Sequence, residues 1–195
     1  MHGCVRGTTV NVMLTVPRLK TNAELLASLP EGEAGEVIDG ALYVMGRPNL
    51  RHQAAKDEII TLLKKGDPGG AWVLASAISA RFPTDEEVVP DISGWRRDRF
   101  GARFDENPVR LRPDWVCEIL SDSTRLKDLG PKRRLYAQQG VPYLWLIDPH
   151  AQVLEAFSLV GHAWQLLGTW TQNDVVSGLA PFPELSFTLS DWWLS

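Results

Sequence analysis

The chain has 195 residues, which suits one domain with a sizeable hydrophobic core and is short for two independent cores. Its apolar and charged fractions of 44% and 23% exclude a fibrous or wholly disordered protein. The net charge of −4 argues against a general nucleic-acid binder, because phosphate binding is driven by lysine and arginine.

The beginning of the chain gives no sign of export or membrane insertion. No apolar run approaches the roughly 18 residues of a membrane span, and residues 1–12 lack the apolar stretch of roughly 7 to 15 residues found in a signal peptide. We expect a flexible tail over residues 1–12, with Met13 as an alternative natural start, and a single domain over residues 13–195. The two cysteines, Cys4 and Cys117, are too few for a disulfide framework or a zinc site. We therefore expect a soluble, cytoplasmic protein in which Cys117 is a buried, inert thiol.

The first part of the chain predicts a helix, a hairpin and a second helix. Residues 21–24 have the form of a capping box that opens a short helix, which Pro30-Glu31-Gly32 ends. Two apolar strand segments flank Asp39-Gly40, and this predicts a β-hairpin with that pair at its tip. Between residues 49 and 65 apolar side chains recur at helical spacing, and Gly66 gives a stop signal.

The middle of the chain is β-rich. Residues 72–78 and 79–82 are predicted strands, and residues 87–95 are strand-like with Pro90 near their centre. A central ladder position does not tolerate proline, so we expect a bulge or a sheet edge at Pro90. Residues 96–112 show little periodicity and several charges, which predicts a flexible loop.

The second half of the chain predicts further strands around an interrupted helix. An apolar strand over residues 115–120 is followed by a short helical turn, which Gly130-Pro131 should interrupt. Pro131 suits the first position of a new helix that stops at Gly140. A buried strand over residues 143–147 and antiparallel strands with turns at Gly161-His162 and Asn173-Asp174 complete the order. This order predicts an α/β (α+β) domain around a mixed sheet.

Two carboxylates interrupt apolar strand segments. Asp91 follows Pro90, and Glu118 stands within an apolar run, where an unpaired carboxylate is costly to bury. Carboxylates on adjacent strands can hold a hard cation, and Mg²⁺ needs only one or two of them beside carbonyl and water oxygens. Taken alone, Asp91 also fits a turn cap or a surface group. Asp114 shares the predicted strand face of Glu118, but its place at the start of the strand favours capping.

These positions belong to a longer ordered pattern over about residues 21–149. It comprises Glu36 before Ile38-Asp39-Gly40, His52 at a helix start, Val89-Pro90-Asp91, residues 113–124, Asp128 with Lys132 and Tyr136, and residues 140–149. The pattern resembles a bacterial family of restriction endonuclease-like proteins, formerly a domain of unknown function, in the PD-(D/E)xK nuclease superfamily. The resemblance implies a restriction endonuclease-like mixed sheet flanked by helices, here with a β-rich C-terminal extension.

The resemblance also implies a site and a chemistry. Asp91 and Glu118 would bind Mg²⁺ or Mn²⁺, Glu36 would be a further acidic group near the site, and water activated there would hydrolyse a phosphodiester of DNA. The superfamily pattern places a lysine two residues after the second acid, where this chain has Leu120. The site is therefore either degenerate or supplied with a cation from elsewhere.

Lys132 is the best substitute for the missing lysine. It opens the helix predicted after the Glu118 strand and lies one turn before Tyr136, so both can share a face. A cation in a first helical turn opposes the helix dipole, which suggests a purpose other than stability. A solvent-facing role for Lys132 stays open, and Lys127 is a weaker candidate.

Other features favour a structural interpretation or leave alternatives open. His52, His150 and His162 lack metal-ligand spacing, and residues 96–134, with eleven basic and seven acidic side chains, also suit a solvated surface. The Trp192-Trp193 pair suggests docking against a neighbour in a homodimer. Besides a metal-dependent DNA endonuclease, the sequence allows a catalytically silent nucleic-acid-binding or assembly module, or a metal-assisted hydrolase of small phosphoesters.

Overall fold

A computed structural model describes residues 20–193 of the chain. The expected tail over residues 1–12, Cys4 and the alternative start at Met13 lie outside the described residues, and the division into a tail and one domain stays a prediction. None of the helices within residues 20–193 is long and apolar enough to cross a membrane.

The helices and strands follow the predicted order closely. The helices are α1 (Asn22–Leu26), α2 (Leu50–Lys65), α3 (Arg97–Phe100), α4 (Arg125–Lys127) and α5 (Arg133–Gln138), with a π-helical turn at Asp128–Lys132 and a 3-10 turn at Leu189–Trp192. The strands are β1 (Gly35–Ile38), β2 (Ala41–Val44), β3 (Trp72–Ser76), β4 (Ala80–Arg81), β5 (Glu87–Val88), β6 (Ile92–Arg96), β7 (Trp115–Ile119), β8 (Tyr143–Asp148), β9 (Val153–Val160), β10 (Ala163–Thr171), β11 (Val175–Ser177) and β12 (Ser186–Thr188).

The main sheet is mixed, as predicted. Its strand order is β10-β9-β8-β7-β6-β3, and β7 and β8 are parallel while the other neighbours are antiparallel. Parallel neighbours need a crossover connection, and the helical segment from α4 to α5 supplies it. A smaller antiparallel sheet has the order β2-β1-β5-β4, and β11 pairs with β12. The α+β fold class predicted from the sequence is confirmed.

Local sequence signals account for the first elements. Thr21 and Glu24 form the predicted capping box of α1. Asp39 and Gly40 have φ angles of 51° and 71°, the left-handed pair that a two-residue hairpin turn requires. The Asn49 side chain caps α2 by accepting a hydrogen bond from the backbone amide of His52 at 2.9 Å.

The two faces of the main sheet carry separate apolar clusters, because side chains alternate along each strand. On one face Cys117 and Ile119 pack against Ala55 and Ile59 of α2. On the other face Val116 packs in a cluster with residues of α5. Cys117 is a free, buried thiol, as predicted, and burial raises its pKa well above the ordinary value. Glu118 alternates onto the face of Val116, so it points towards the crossover helices.

Residues 87–95 form two strands rather than the single predicted one. β5 belongs to the small sheet and β6 to the main sheet, with Pro90 in the connection between them. Proline cannot donate a ladder hydrogen bond, which explains why neither strand includes it. Asp91 therefore lies where the chain passes from one sheet to the other.

The predicted helix break at Gly130-Pro131 is wrong. α4, the π-helical turn and α5 form one continuous helical segment, and the turn holds Gly130 and Pro131 inside it. A π-helical turn is wider than an α-helical one, so it accommodates a residue that lacks an N–H group. Lys132 consequently lies inside the segment, and the argument from a first-turn cation opposing the helix dipole does not apply.

Two further segments are more tightly packed than the sequence indicated. Residues 96–112, predicted to be a loop, contain α3, and Phe100 and Val109 pack with Trp95 in a small cluster. Trp192 is buried in the chain's own core and stacks on Phe187, with 4.7 Å between ring centroids. The homodimer thus loses the observation on which it rested and stays a prediction.

Candidate active site

A cleft opens where the two sheets meet, beside α2 and the crossover segment. Asp91 and Glu118 both line it, together with Lys132. Its charged lining residues are Arg47, Lys56, Asp91, Glu118, Lys127, Asp128 and Lys132. The structure thus brings three of the four predicted site residues to one cleft, and the fourth, Glu36, lies directly behind it.

Asp91 is fixed by contacts to both of its carboxylate oxygens. Oδ2 accepts a hydrogen bond from the backbone amide of Ile119 at 2.8 Å, and Oδ1 lies 3.1 Å from Nε2 of His52. Burial alone would raise the pKa of Asp91, but His52, Lys132 and the Ile119 amide together hold it below the ordinary value. Asp91 is therefore an ionised carboxylate. The hydrogen bond from the amide of Ile119, the residue after Glu118, holds it at the end of β7.

Glu118 is the most perturbed acid of the cleft. It is 1% exposed, and its Oε1 accepts a hydrogen bond from the Tyr136 hydroxyl and lies 2.8 Å from Lys132 Nζ. Burial, together with the nearby charges of Asp128, Asp91 and Glu36, raises its pKa to about 8 although Lys132 lowers it. Glu118 consequently binds a proton near neutral pH, chiefly because burial removes its carboxyl group from solvent and secondly because other acids lie nearby.

Lys132 connects the two sheets. Its Nζ lies 2.8 Å from Glu118 on β7 and 2.9 Å from Glu36 on β1, and it donates a hydrogen bond to the Val89 carbonyl at 3.2 Å. Burial would lower the pKa of Lys132, but Glu118 and Glu36 raise it well above the ordinary value. The side chain is only 2% exposed, so the solvent-facing interpretation of Lys132 is wrong. The prediction that Lys132 and Tyr136 share a helix face is confirmed by their common contact, Glu118 Oε1.

Glu36 lies behind the cleft and pairs with Lys127 and Lys132. It is fully buried, its Oε1 accepts a hydrogen bond from the Val89 amide at 2.7 Å, and its Oε2 contacts Lys127 Nζ. Burial would raise the pKa of Glu36, but Lys132 and Lys127 hold it below the ordinary value. Glu36 is thus an ionised anchor that keeps two ammonium groups in place.

Sequence reasoning assigned no role in the site to several residues of the cleft. Asp128 is buried with Oδ1 3.7 Å from Lys132 Nζ, and His52, predicted to be structural, contacts Asp91. Lys56 follows His52 by one helical turn and lines the same cleft. The spacing of four residues in 128–132–136 and in 52–56 was the available signal, because such residues share one helix face.

Asp114 is placed away from this cleft. Its Oδ2 accepts a hydrogen bond from the Arg96 amide at 2.8 Å, and its Oδ1 contacts Arg99. The carboxylate therefore holds the start of β7 against β6, which is the capping role that the sequence favoured. Two of the basic residues between positions 96 and 134, Arg99 and Arg125, are engaged with Asp114 and Asp148 in the same way.

The donor set of the cleft fits a hard divalent cation. Within residues 20–193 no three or more His, Cys, Asp and Glu side chains cluster as a metal-binding group. Mg²⁺ does not require such a cluster, since one or two carboxylates with carbonyl and water oxygens suffice. Both contacts of Glu118 in the described part of the chain fall on Oε1, which leaves Oε2 for a cation.

A sequence model of the family Uma2, described as "Putative restriction endonuclease", matches residues 23–190. The chain belongs to the Uma2 family. The matched range includes the described cleft, and membership in Uma2 supports a nuclease-like function. The family resemblance predicted from the sequence is confirmed.

One solved structure shows the same fold. The crystal structure of a putative nuclease belonging to DUF820 from Anabaena variabilis aligns with this Uma2 chain with a TM-score of 0.73. The two sequences are 24% identical, and the alignment covers 89% of this chain and 97% of that chain. At this identity the likeness concerns the fold alone. No curated protein matches the sequence.

Proposed function

We propose that the protein is a divalent-metal-dependent DNA endonuclease whose active site is formed by Asp91, Glu118 and Lys132. The observation that carries the proposal is the 2.8 Å distance between Lys132 Nζ and Glu118 Oε1. The superfamily pattern provides its lysine from the strand, at the position of Leu120. In this chain an ammonium group reaches the second acid from the crossover segment instead, so the chemical set is complete.

The acids and the lysine have separate tasks in this proposal. Asp91 and Glu118 would hold Mg²⁺ or Mn²⁺, which when bound supplies activation of water and neutralisation of charge on the phosphate. Tyr136 holds Oε1 of Glu118 by its hydrogen bond and so orients the carboxylate. Glu36 keeps Lys132 charged and in position, so the ammonium can stabilise the charge that develops on the phosphate.

The test is nicking of supercoiled plasmid DNA by the purified protein with Mg²⁺ or Mn²⁺. We expect Asp91→Asn, Glu118→Gln and Lys132→Met each to lower the rate at least about a hundredfold, the scale of one lost electrostatic contact in a transition state. Glu58→Gln is the matched control, because Glu58 is an exposed acid of α2 outside the cleft.

Three outcomes would contradict the proposal. Nicking that persists in EDTA, or in both acid variants, would show that the cleft is not the metal site. DNA binding without cleavage in any metal would identify a catalytically silent module, for which Leu120 is the sequence reason. Cleavage of a nucleotide or of bis(p-nitrophenyl) phosphate, with intact plasmid, would identify a hydrolase of small phosphoesters.

A further inference from the structure

Lys56 is a largely buried lysine whose ammonium group has no partner among the residues that the structure describes. Its side chain, 8% exposed, belongs to the buried face of α2 and lines the cleft. Lys127 and Lys132 pair with carboxylates, whereas the ammonium group of Lys56 makes no hydrogen bond or ion pair within residues 20–193. An ammonium group without a counterion gains no ion-pair stabilisation from the fold. No ion pair within residues 20–193 therefore accounts for a lysine at this position.

The helix geometry places Lys56 beside the proposed metal site. His52 and Lys56 are one turn apart on the same face of α2, about 6 Å along the helix axis. His52 contacts Asp91 at 3.1 Å, so the next turn of the helix brings Lys56 close to the same end of the cleft. Ala55 and Ile59 on the neighbouring positions face the apolar cluster. Lys56 and Lys132 thus reach the cleft from opposite faces of the main sheet.

The ammonium group of Lys56 is open to the cleft although its stem is buried. In the described part of the chain, four side-chain polar atoms are fully buried and make no hydrogen bond: His52 Nδ1, Ser93 Oγ, Arg112 Nε and Trp115 Nε1. Lys56 Nζ is not one of them. A lysine whose methylene stem packs against protein while its charged end faces a cavity is arranged to meet a ligand.

A second cleft continues from the first. It shares His52 and Ser121 with the first and is lined further on by Arg51, Arg125 and His150, and by Asp122 and Asp148, of which Asp148 pairs with Arg125. An extended anionic chain would therefore meet basic side chains on both sides of His52, some of them already paired with acids. A nucleic-acid strand has this form, with one phosphate for every nucleotide.

We propose that Lys56 is a substrate-positioning residue that binds a phosphate of the nucleic-acid strand next to the one at the proposed metal site. The proposal rests on the proposed function for the identity of the strand. The contact that we propose joins Lys56 Nζ to a non-bridging phosphate oxygen. That contact gives the ammonium group a counterion, which no side chain within residues 20–193 provides.

The test separates positioning from chemistry by measuring DNA binding in EDTA, without turnover. The anisotropy of a fluorescein-labelled DNA duplex is titrated with protein at several salt concentrations. We expect Lys56→Met to weaken binding about tenfold, the scale of one charge-assisted contact, and to lower the slope of log affinity against log salt by about 1. Lys56→Arg keeps the charge and should keep the slope. Lys65→Met removes an exposed charge from the end of the same helix and is the matched control.

Thermal unfolding distinguishes the positioning role from a structural one, because a structural role of Lys56 predicts a lower unfolding temperature for Lys56→Met. Methionine keeps the apolar stem and removes the unpaired charge, so Lys56→Met should unfold at a higher temperature than the wild type while binding DNA more weakly. A lower unfolding temperature with wild-type affinity and slope would overturn the proposal, and so would wild-type protein that does not bind DNA. DNA binding that depends on Lys56 without cleavage would support the proposal and reject the endonuclease function.

Discussion

The buried contacts of Lys132 make Lys132→Met the most informative single substitution. Its ammonium nitrogen lies 2.8 Å from Glu118 Oε1, 2.9 Å from Glu36 Oε1 and 3.2 Å from the Val89 carbonyl oxygen. Methionine fills a similar volume, so the change removes the charge and the hydrogen bond and leaves little cavity. Two buried carboxylates then lose a counterion at once.

The expected loss follows from the usual effect of breaking a buried ion pair, about 3–5 kcal/mol of the free energy of unfolding. Two features of the site reduce it. Glu118 already has a pKa of about 8 and can take up a proton, and Glu36 keeps its contact with Lys127. We therefore expect a loss of about 3 kcal/mol near neutral pH, rising at alkaline pH, where Glu118 must ionise without Lys132.

Urea denaturation in EDTA measures this loss, because it excludes any contribution from a bound metal ion. Lys132→Met, Glu118→Gln and the double variant form a cycle whose coupling energy isolates the pair. We expect a coupling of about 1–3 kcal/mol, since the amide of the glutamine does not need a counterion. Lys65→Met, at an exposed position, should stay within about 0.5 kcal/mol of the wild type.

Either of two results would refute this account of the site. A loss below about 1 kcal/mol in Lys132→Met would mean that the ammonium group does not stabilise the buried acids. An equal loss in the Glu118→Gln background would mean that the two side chains do not interact. A variant that is stable but inactive would instead separate the catalytic role from the structural one.

Three further perturbations test other parts of the structure. The pKa of Glu118 is raised to about 8 from 4.5, so its favourable contribution is complete below pH 4.5 and is lost as the pH rises towards 8. Metal-free wild type should therefore lose stability over that range in urea titrations, and Glu118→Gln should lose less; parallel curves would contradict this. His52→Ala removes the partner that lowers the pKa of Asp91, so the acid limb of the pH–rate profile should move to higher pH, and an unmoved limb would reject the contact. Trp192→Ala should cost about 3–5 kcal/mol of unfolding free energy in the monomer, because Trp192 stacks on Phe187 in the chain's own core; a changed oligomeric state at unchanged stability would favour an interface.

Local signals in the sequence predicted the elements that local contacts determine. The capping box at Thr21 and the hairpin tip at Asp39-Gly40 involve only neighbouring residues, and the structure has both. Gly130-Pro131 is the instructive failure. The same pair ends an α-helix but fits a π-helical turn, and the choice depends on packing of the whole crossover segment against the sheet.

The site was predictable where its residues interrupt an apolar pattern. Glu118 within a buried strand and Asp91 after Pro90 stand out for this reason, and the spacing of Lys132 and Tyr136 indicated their shared face. Lys56 gives only its four-residue spacing from His52, because one lysine in an amphipathic helix is an ordinary surface residue in the sequence. Its burial depends on where α2 lies against the sheet, which no local pattern determines.

The stability cost of the charged groups in the cleft supports the proposal that the cleft binds a ligand. A buried network of ions is generally no more stable than apolar side chains of the same volume. Here burial pushes Glu118 towards its protonated form, and Lys56 has no partner within residues 20–193. A cation would favour the ionised form of Glu118, and an anion would pair with Lys56. In the proposed function, a metal ion and a phosphate bound together would supply both charges at once.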